Sequence, residues 1–134
     1  QPWLTQYWSR QVVETVYEGL SPQRGYNGDE DQGLMGSLAV LMKLGLFSMD
    51  GGCASDPTLE LGSPLFDKVT IQLNPDFYPG KQCAIVTRNN SAENQYIQSV
   101  KLNGKELNSW KLPQAALEEG STIEIEMGNQ PNTN

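Results

Sequence analysis

The sequence predicts an α+β chain in which two helices precede five or six short antiparallel strands. Three observations carry that reading. The first third spaces its apolar residues three and four apart, as one face of a helix requires. After Phe47 apolar and polar residues alternate, the period of a half-buried strand. Asn103-Gly104 then separates two alternating runs, a strong hairpin signal. The change of period divides the chain into a helical part, 1–47, and a β part, 48–134, the latter expected to form a small antiparallel sandwich-like unit.

The first helix is expected over Pro2 to Leu20. Leu4, Trp8, Val12, Val16 and Leu20 make a broad apolar stripe, with Tyr7, Val13 and Tyr17 beside it. Pro2 suits a first helical turn, and Ser21-Pro22 ends the helix because the residue before proline is pushed out of the α region. A polar loop rich in glycine, 23–28, leads to a second helix expected from about Asp31 to Leu44. Its apolar Leu34, Met35, Leu38, Leu41 and Met42 are joined by the small Gly36, Ser37 and Ala39, so it is apolar nearly all round. Such a helix is expected inside a larger helical assembly, and Gly45 is expected to cap it. Residues 48–58 read as loop. Strands are expected at Val69-Ile71-Leu73, at Ala84 to Thr87, at Val100-Leu102 and at Ile123-Ile125-Met127. Asn103-Gly104 should turn the chain between Val100-Lys101-Leu102 and Lys105-Glu106-Leu107 in a type I′ hairpin. The tail 128–134 is expected to fray.

Two helices, one of them apolar all round, do not close a bundle. The chain therefore reads as part of a larger protein, or as a surface that needs a partner chain or a second copy of itself. The 134 residues begin at Gln1, and no basic segment followed by an apolar one resembles a leader peptide, so the expectation is a processed chain or one that starts within a longer protein. The longest apolar run, Leu34 to Phe47, contains Lys43 and is too short to span a bilayer. The net charge of −7 and the lack of a basic stripe argue against nucleic acid and anionic membranes as partners. Neutral sugars remain compatible. With no histidine, neither a histidine-based triad nor a Cys/His zinc site can be assembled within the chain. Cys53 and Cys83 fit either one disulfide in an oxidising compartment or two free, buried thiols.

The chemically suggestive segment is Gly28-Asp29-Glu30-Asp31-Gln32-Gly33, three acids at the mouth of the second helix. Like charges so close raise one another's pKa values. The free amides and dipole of a helix N-terminus offset that by stabilising negative charge. Such a place can hold one carboxylate ionised and rigid near neutral pH, which is what a general base needs. On pattern alone, plain N-capping is the commoner use of acids at a helix start. An EF-hand loop is excluded: Asn27, Asp29 and Asp31 have the 1-3-5 spacing, but the required glycine is Gln32 and the closing glutamate is Leu38.

The run from Gly19 to Gly33, with Ser21-Pro22-Gln23-Arg24-Gly25-Tyr26-Asn27-Gly28-Asp29-Glu30-Asp31-Gln32 at its heart, resembles the signature of glycoside hydrolase family 92. Pro2-Trp3 with Thr5-Gln6, Leu44-Gly45-Leu46-Phe47 and Leu61-Gly62-Ser63-Pro64-Leu65-Phe66-Asp67 resemble further blocks of that family. Asn89-Asn90-Ser91, Tyr96-Ile97-Gln98-Ser99, Leu102-Asn103-Gly104 and Met127-Gly128 extend the likeness nearly to the end, in the family's order. The resemblance implies an N-terminal β-sandwich and an (α/α)6 barrel, of which residues 1–47 would supply the last helices. It implies an exo-acting α-mannosidase that inverts the anomeric centre, uses calcium at the sugar site, cleaves mannose-containing glycans (α-1,2 links foremost) and is secreted, periplasmic or on a bacterial cell surface. By motif position Asp31 would be the general base and Asp29 would support or share that role. The general acid and most calcium and sugar ligands would lie upstream, leaving this chain as half an active site beside the remainder of the enzyme. Leu34 and Leu38 stand where the family usually has glutamine and an aromatic residue, and the loop around Cys53 is less typical; these departures bear on specificity and activity.

Tyr26 is a candidate for stacking on sugar because its loop carries the acids. Arg24 can pair with Asp29 or Asp31 and lower its pKa, or simply anchor the loop. Trp3, Tyr7 and Trp8 stand at helical spacing and are expected in the core, and Asn89-Asn90-Ser91 is expected to form a turn beside a strand. The alternative to an enzyme part is a non-catalytic module, a helical cap on a β unit that stabilises a larger protein or binds carbohydrate.

Overall fold

The structure, a computed structural model, describes residues 1–17, 19, 21, 23 and 36–133. Its helices are α1 (Pro2–Thr15), α2 (Gly36–Lys43) and the short α3 (Gln114–Glu118). Its strands are β1 (Leu46–Phe47), β2 (Thr58–Leu61), β3 (Lys68–Gln72), β4 (Gln82–Arg88), β5 (Tyr96–Leu102), β6 (Lys105–Glu106), β7 (Lys111–Pro113) and β8 (Thr122–Gly128). The α+β class stands.

Two sheets share one core. The smaller runs β1-β2-β7 and is antiparallel throughout; the larger runs β3-β4-β8-β5-β6. Leu46, Leu59, Leu61 and Leu112 of the small sheet and Ile85, Val100, Ile123 and Ile125 of the large one form a single buried cluster. The alternation that announced the strands is the cause: every second residue of β4 and of β8 is buried. Each large aliphatic side chain so removed from water contributes about 1.5–3 kcal/mol.

The expected hairpin forms as expected. Asn103 and Gly104 both have positive φ, 51° and 78°, and Leu102 pairs with Lys105 across them. The expectation of antiparallel pairing throughout needs one correction, because β4 and β8 run parallel. Alternation carries no strand direction, and the chain between them is long enough for the crossover that a parallel pair requires. The tail is tied down rather than frayed: Gln98 Nε2 donates to Gln130 O at 2.9 Å, and Asn132 Nδ2 donates to Gln98 O at 2.9 Å. No disulfide joins the cysteines; Cys53 is exposed and Cys83 is buried.

The first helix departs most from expectation. It ends at Thr15, and its buried residues are Gln6, Arg10 and Val13. Trp8, expected in the core, is 60% exposed, with its ring edge-on to Tyr7. The apolar stripe therefore does not face this chain's sheets; a polar face does. The reason lies at the edge of the large sheet. Among the described residues no strand pairs with the start of β5 on that side, since β6 pairs only with Lys101 and Leu102. Ile97 N–H, turned outward there, donates to Gln6 Oε1 at 2.9 Å, so α1 closes an open sheet edge with a side chain. The helix α2, expected inside an assembly, has no fully buried residue; Leu41 packs against the core, while Val40 is 60% exposed.

Gln6→Leu should orphan the buried Ile97 N–H and cost about 1–3 kcal/mol, read as a lower urea midpoint at unchanged m-value. Burial pushes the Cys83 thiol up, so less of it is thiolate at any given pH. Iodoacetamide at pH 8 should therefore label Cys53 in the native protein, with Cys83 reacting only after unfolding. Peptide mass mapping reads both, and native labelling of Cys83 would contradict the packing.

Candidate active site

Asp29, Asp31, Glu30, Tyr26 and Arg24 lie outside the described residues. What the structure does define is the frame from which that segment is strung, because α1 precedes it and α2 follows it.

On the α1 side the frame is a buried arginine. Arg10 is 3% exposed. Its Nε donates to Ser63 Oγ at 3.0 Å, and its Nη2 donates to Pro64 O at 2.7 Å and to Asn90 Oδ1 at 2.9 Å. Glu14, one turn on, approaches Nη1 at 3.7 Å from a partly exposed position. Burial lowers the pKa of the guanidinium from its ordinary value, and the Glu14 carboxylate partly restores it. Neutral acceptors thus satisfy a charge that would otherwise be costly inside a protein. Ser9 adds a further tie, since its Oγ accepts from Ser63 N at 3.3 Å.

On the α2 side the frame is a glycine. Gly45 follows the helix with φ of 78°, the left-handed C-cap expected of it, and its N–H donates to Met42 O at 2.9 Å. A Cβ at this position would sit 2.8 Å from Pro64 Cδ, so the close approach also requires glycine. Gly45 O accepts from Gly62 N at 2.8 Å, and Lys43 O accepts from Leu65 N at 3.0 Å. The four residues 62–65 therefore hold both helices. Asn90 comes from the turn after β4, where Asn89 has φ of 55° and Asn94 Nδ2 donates to Asn89 O at 2.8 Å. The turn reading of Asn89-Asn90-Ser91 stands, and its second asparagine serves the helix.

Elsewhere the described residues show paired acids without the makings of a catalytic pair. Glu124 and Glu126 share a face of β8, but Glu124 lies 3.8 Å from Arg88, and Glu126 accepts from Asn89 Nδ2. Both are held as cross-strand partners. Asp50 organises its own loop: its Oδ1 accepts from Gly52 N at 2.9 Å and from Ser48 Oγ at 3.2 Å, and these bonds, the backbone one foremost, lower its pKa. Among the described residues no three His, Cys, Asp or Glu side chains converge as metal ligands, and the resemblance places most calcium ligands upstream of them. No helix among them is long and apolar enough to cross a membrane. Sequence reasoning missed Gln6, Arg10, Ser63 and Asn90 as partners. The only signal for the two helix residues was a glutamine and an arginine four apart on a helix, which reads as a solvated face.

Comparison with known proteins agrees with the resemblance. Residues 1–129 match the model of the glycosyl hydrolase family 92 catalytic domain. A protein described as an uncharacterized secreted glycosidase, from Arthroderma benhamiae, is 32% identical over 108 residues, 79% of this chain and 13% of its own length. The solved structure of the family 92 inverting mannosidase from Bacteroides thetaiotaomicron superposes on 98% of this chain with a TM-score of 0.80 and 34% identity, using 17% of that chain. A family 92 α-mannosidase of the same organism, solved with mannoimidazole, superposes with a TM-score of 0.82 at 25% identity over 98% of this chain and 16% of its own. The chain thus spans between 13% and 17% of these relatives. With the fold and almost the full length of the chain in agreement, this chain belongs to glycoside hydrolase family 92.

Proposed function

We propose that this chain is the base-bearing end of the catalytic domain of an inverting exo-α-mannosidase acting on mannose-containing glycans. The observation that carries the reading is 34% identity over 98% of the chain with an inverting mannosidase, a span that includes the acidic segment. In this reading residues 1–47 complete an (α/α)6 barrel built mainly by upstream sequence, and 48–134 form its trailing β unit. The α-mannosidase solved with mannoimidazole supports a mannose-like ligand. The secreted relative supports an exported protein.

Inversion needs two carboxyl groups on opposite sides of the scissile bond, far enough apart to admit a water. Asp31 takes the proton from that water as it attacks the anomeric carbon, and Asp29 holds Asp31 in place or shares its charge. The protein upstream supplies the acid that protonates the leaving oxygen. Tyr26 offers an aromatic face to the sugar ring, and Arg24 favours the ionised form of the adjacent acid. Calcium, if bound, would polarise and orient sugar hydroxyls through ligands supplied mostly by upstream sequence.

The test is hydrolysis of α-1,2-linked mannobiose by the intact protein with added calcium, comparing wild type with Asp31→Asn. Loss of a general base should lower kcat by about 100-fold to 10,000-fold. Thermal stability should fall by no more than a cap residue contributes, about 1 kcal/mol. Undiminished turnover in Asp31→Asn would return Asp31 to the role of a helix cap and leave the chain a structural or sugar-binding module. Wild-type activity on α-1,3 but not α-1,2 links would leave the base assignment intact and correct the linkage.

A further inference from the structure

We infer that the cavity beside the β5–β6 hairpin is a second sugar site, which holds one neutral hexose unit of a glycan without cleaving it. That the glycan carries mannose rests on the function proposed above; the cavity itself is built without the acidic segment. It is half-enclosed, about 300 Å³ in volume, and lies between β5, β6, residues 107–110 and the C-terminal tail. Such a volume is at the small end for a ligand pocket and suits a single ring whose neighbours leave through the open side. The fold fixes each part of the wall. A bulge in β5 sets Gln98 out of register between Ile97 and Ser99, which re-aims the strand at this point. Gln98 then lies across Gly128, where a Cβ would come within 2.9 Å of its Cγ, and its Nε2 donates to Tyr96 O at 3.2 Å and to Gln130 O at 2.9 Å. Asn132 Nδ2 donates to Gln98 O at 2.9 Å and brings the tail into the wall. Residues 107–110 are tied to both sheets, since Leu107 N–H donates to Val100 O at 2.9 Å and Trp110 O accepts from Leu61 N at 3.0 Å.

The lining has the composition that a sugar requires. A pyranose presents hydroxyls around its rim and C–H groups on its faces, so its partner needs an aromatic surface and several polar groups that the protein has not already used. Trp110, half-buried and packed against the core, supplies the aromatic surface. Its Nε1 has no acceptor among the described residues. Gln98 Oε1, Ser99 Oγ, the Glu106 carboxyl group and the Asn108 amide line the same cavity and are likewise without partners among the described residues. Two carboxyl oxygens can accept from two adjacent hydroxyls, and an amide can both donate and accept. Among the described residues no lysine or arginine lines the cavity, so a phosphorylated ligand would find no counter-charge there. Glu106 is the one acid in that lining, too few for a cation site. An apolar peptide would leave the free donors and acceptors dry. A single carboxyl group also cannot hydrolyse a glycosidic bond by either inversion or retention, because both need a pair. The cavity is therefore suited to hold a sugar and not to cut it.

The test runs the intact protein through native gels with and without α-mannan, and measures kcat and KM on α-linked mannobiose beside them. Trp110→Ala, Asn108→Ala and Glu106→Gln alter the cavity. Phe77→Ala removes a ring that is 78% exposed in a different loop, a control for sugar stacking on any open aromatic. Asp31→Asn is measured with them. The wild type should be retarded by α-mannan. Trp110→Ala should weaken that binding about 10-fold, and Asn108→Ala and Glu106→Gln about 3-fold to 10-fold each. Mannobiose kcat and KM should stay at wild-type values in all three, and Phe77→Ala should change neither readout. If Trp110→Ala fails to fold, Asn108→Ala and Glu106→Gln, both at exposed positions, carry the same reading. Cavity variants retarded as strongly as the wild type would overturn the second site, and so would a wild type that α-mannan does not retard. A loss of mannobiose turnover that follows the loss of binding would overturn it too, because the cavity would then belong to the cleavage site. Full turnover in Asp31→Asn would overturn the base assignment alone and leave the retardation to decide the cavity.

Discussion

The buried guanidinium of Arg10 is the contact on which the arrangement of this chain depends. It joins three parts that are far apart in sequence: α1, the turn at Ser63-Pro64 and the turn at Asn90. Each of its hydrogen-bond acceptors is a neutral oxygen, and the only acid near it among the described residues, Glu14 at 3.7 Å, is partly exposed, so the charge is spread over a fork of donors without being cancelled by a buried acid. Ser63, itself 1% exposed, has its hydroxyl oxygen and its N–H both engaged by α1. Removing the guanidinium would strand a hydroxyl, a carbonyl and an amide oxygen together, each costing about 1–3 kcal/mol when left dry. That sum is comparable to a large share of a small domain's net stability.

From this contact follows an inversion of the usual rule for a surface helix. Gln6 and Arg10 turn inward to satisfy a sheet edge and a turn, and Leu4, Val12 and Trp8 are left partly or largely exposed. Polar groups can sit inward because the groups they meet are backbone N–H and C=O that no strand neighbour satisfies. An apolar face laid against the same edge would have left Ile97 N–H and Pro64 O without partners. The helix is therefore bound to its own chain largely by hydrogen bonds, with Val13 buried beside them and the rest of its apolar stripe partly exposed. Helix α2 makes the same division, with Gly45 and Lys43 carbonyls held by the turn at 62–65 and Val40 outward. The chain spans 17% of its solved relative, so these outward faces make up only a small part of the surface such a relative has to pack.

Much of the β part was legible in the residues. Ile123, Ile125 and Met127 alternate, and they are buried; Asn103-Gly104 demanded two positive φ values, and it has them. The small sheet was harder. Strand β2 shows alternation in Leu59 and Leu61, but with four residues it falls below the length at which a pattern stands out, and β1 and β7 are shorter still. These strands exist because partners exist: Leu59 faces Leu112 across the pair. Strand direction was invisible for the reason already given, and the failure to place Gln6 and Arg10 was of another kind. Periodicity reads which residues prefer oil to water; it cannot read which polar residue has a dry partner waiting ninety positions on.

The acidic segment shows the same limit from the opposite side. Charge at a helix start is visible in any sequence, yet capping and catalysis use identical residues there, since both need an oxygen near free amides. What separates them is what the acid must face, not the acid itself. A cap needs only its own first turn, because the bond it makes is local. A base must keep its distance from a water and a sugar that belong to other parts of the protein, and nothing within one helix can set that distance. The turn at 62–65 is a contact between helices of another kind: it ties Arg10 of α1 and the C-terminal end of α2 to the β unit at once. The blocks through which the chain resembles its family fall on that frame as well as on the acids. Gln6 closes the β5 edge, Gly45 and Gly62-Ser63-Pro64 meet in the buried turn, and Asn90 accepts from Arg10 beside it.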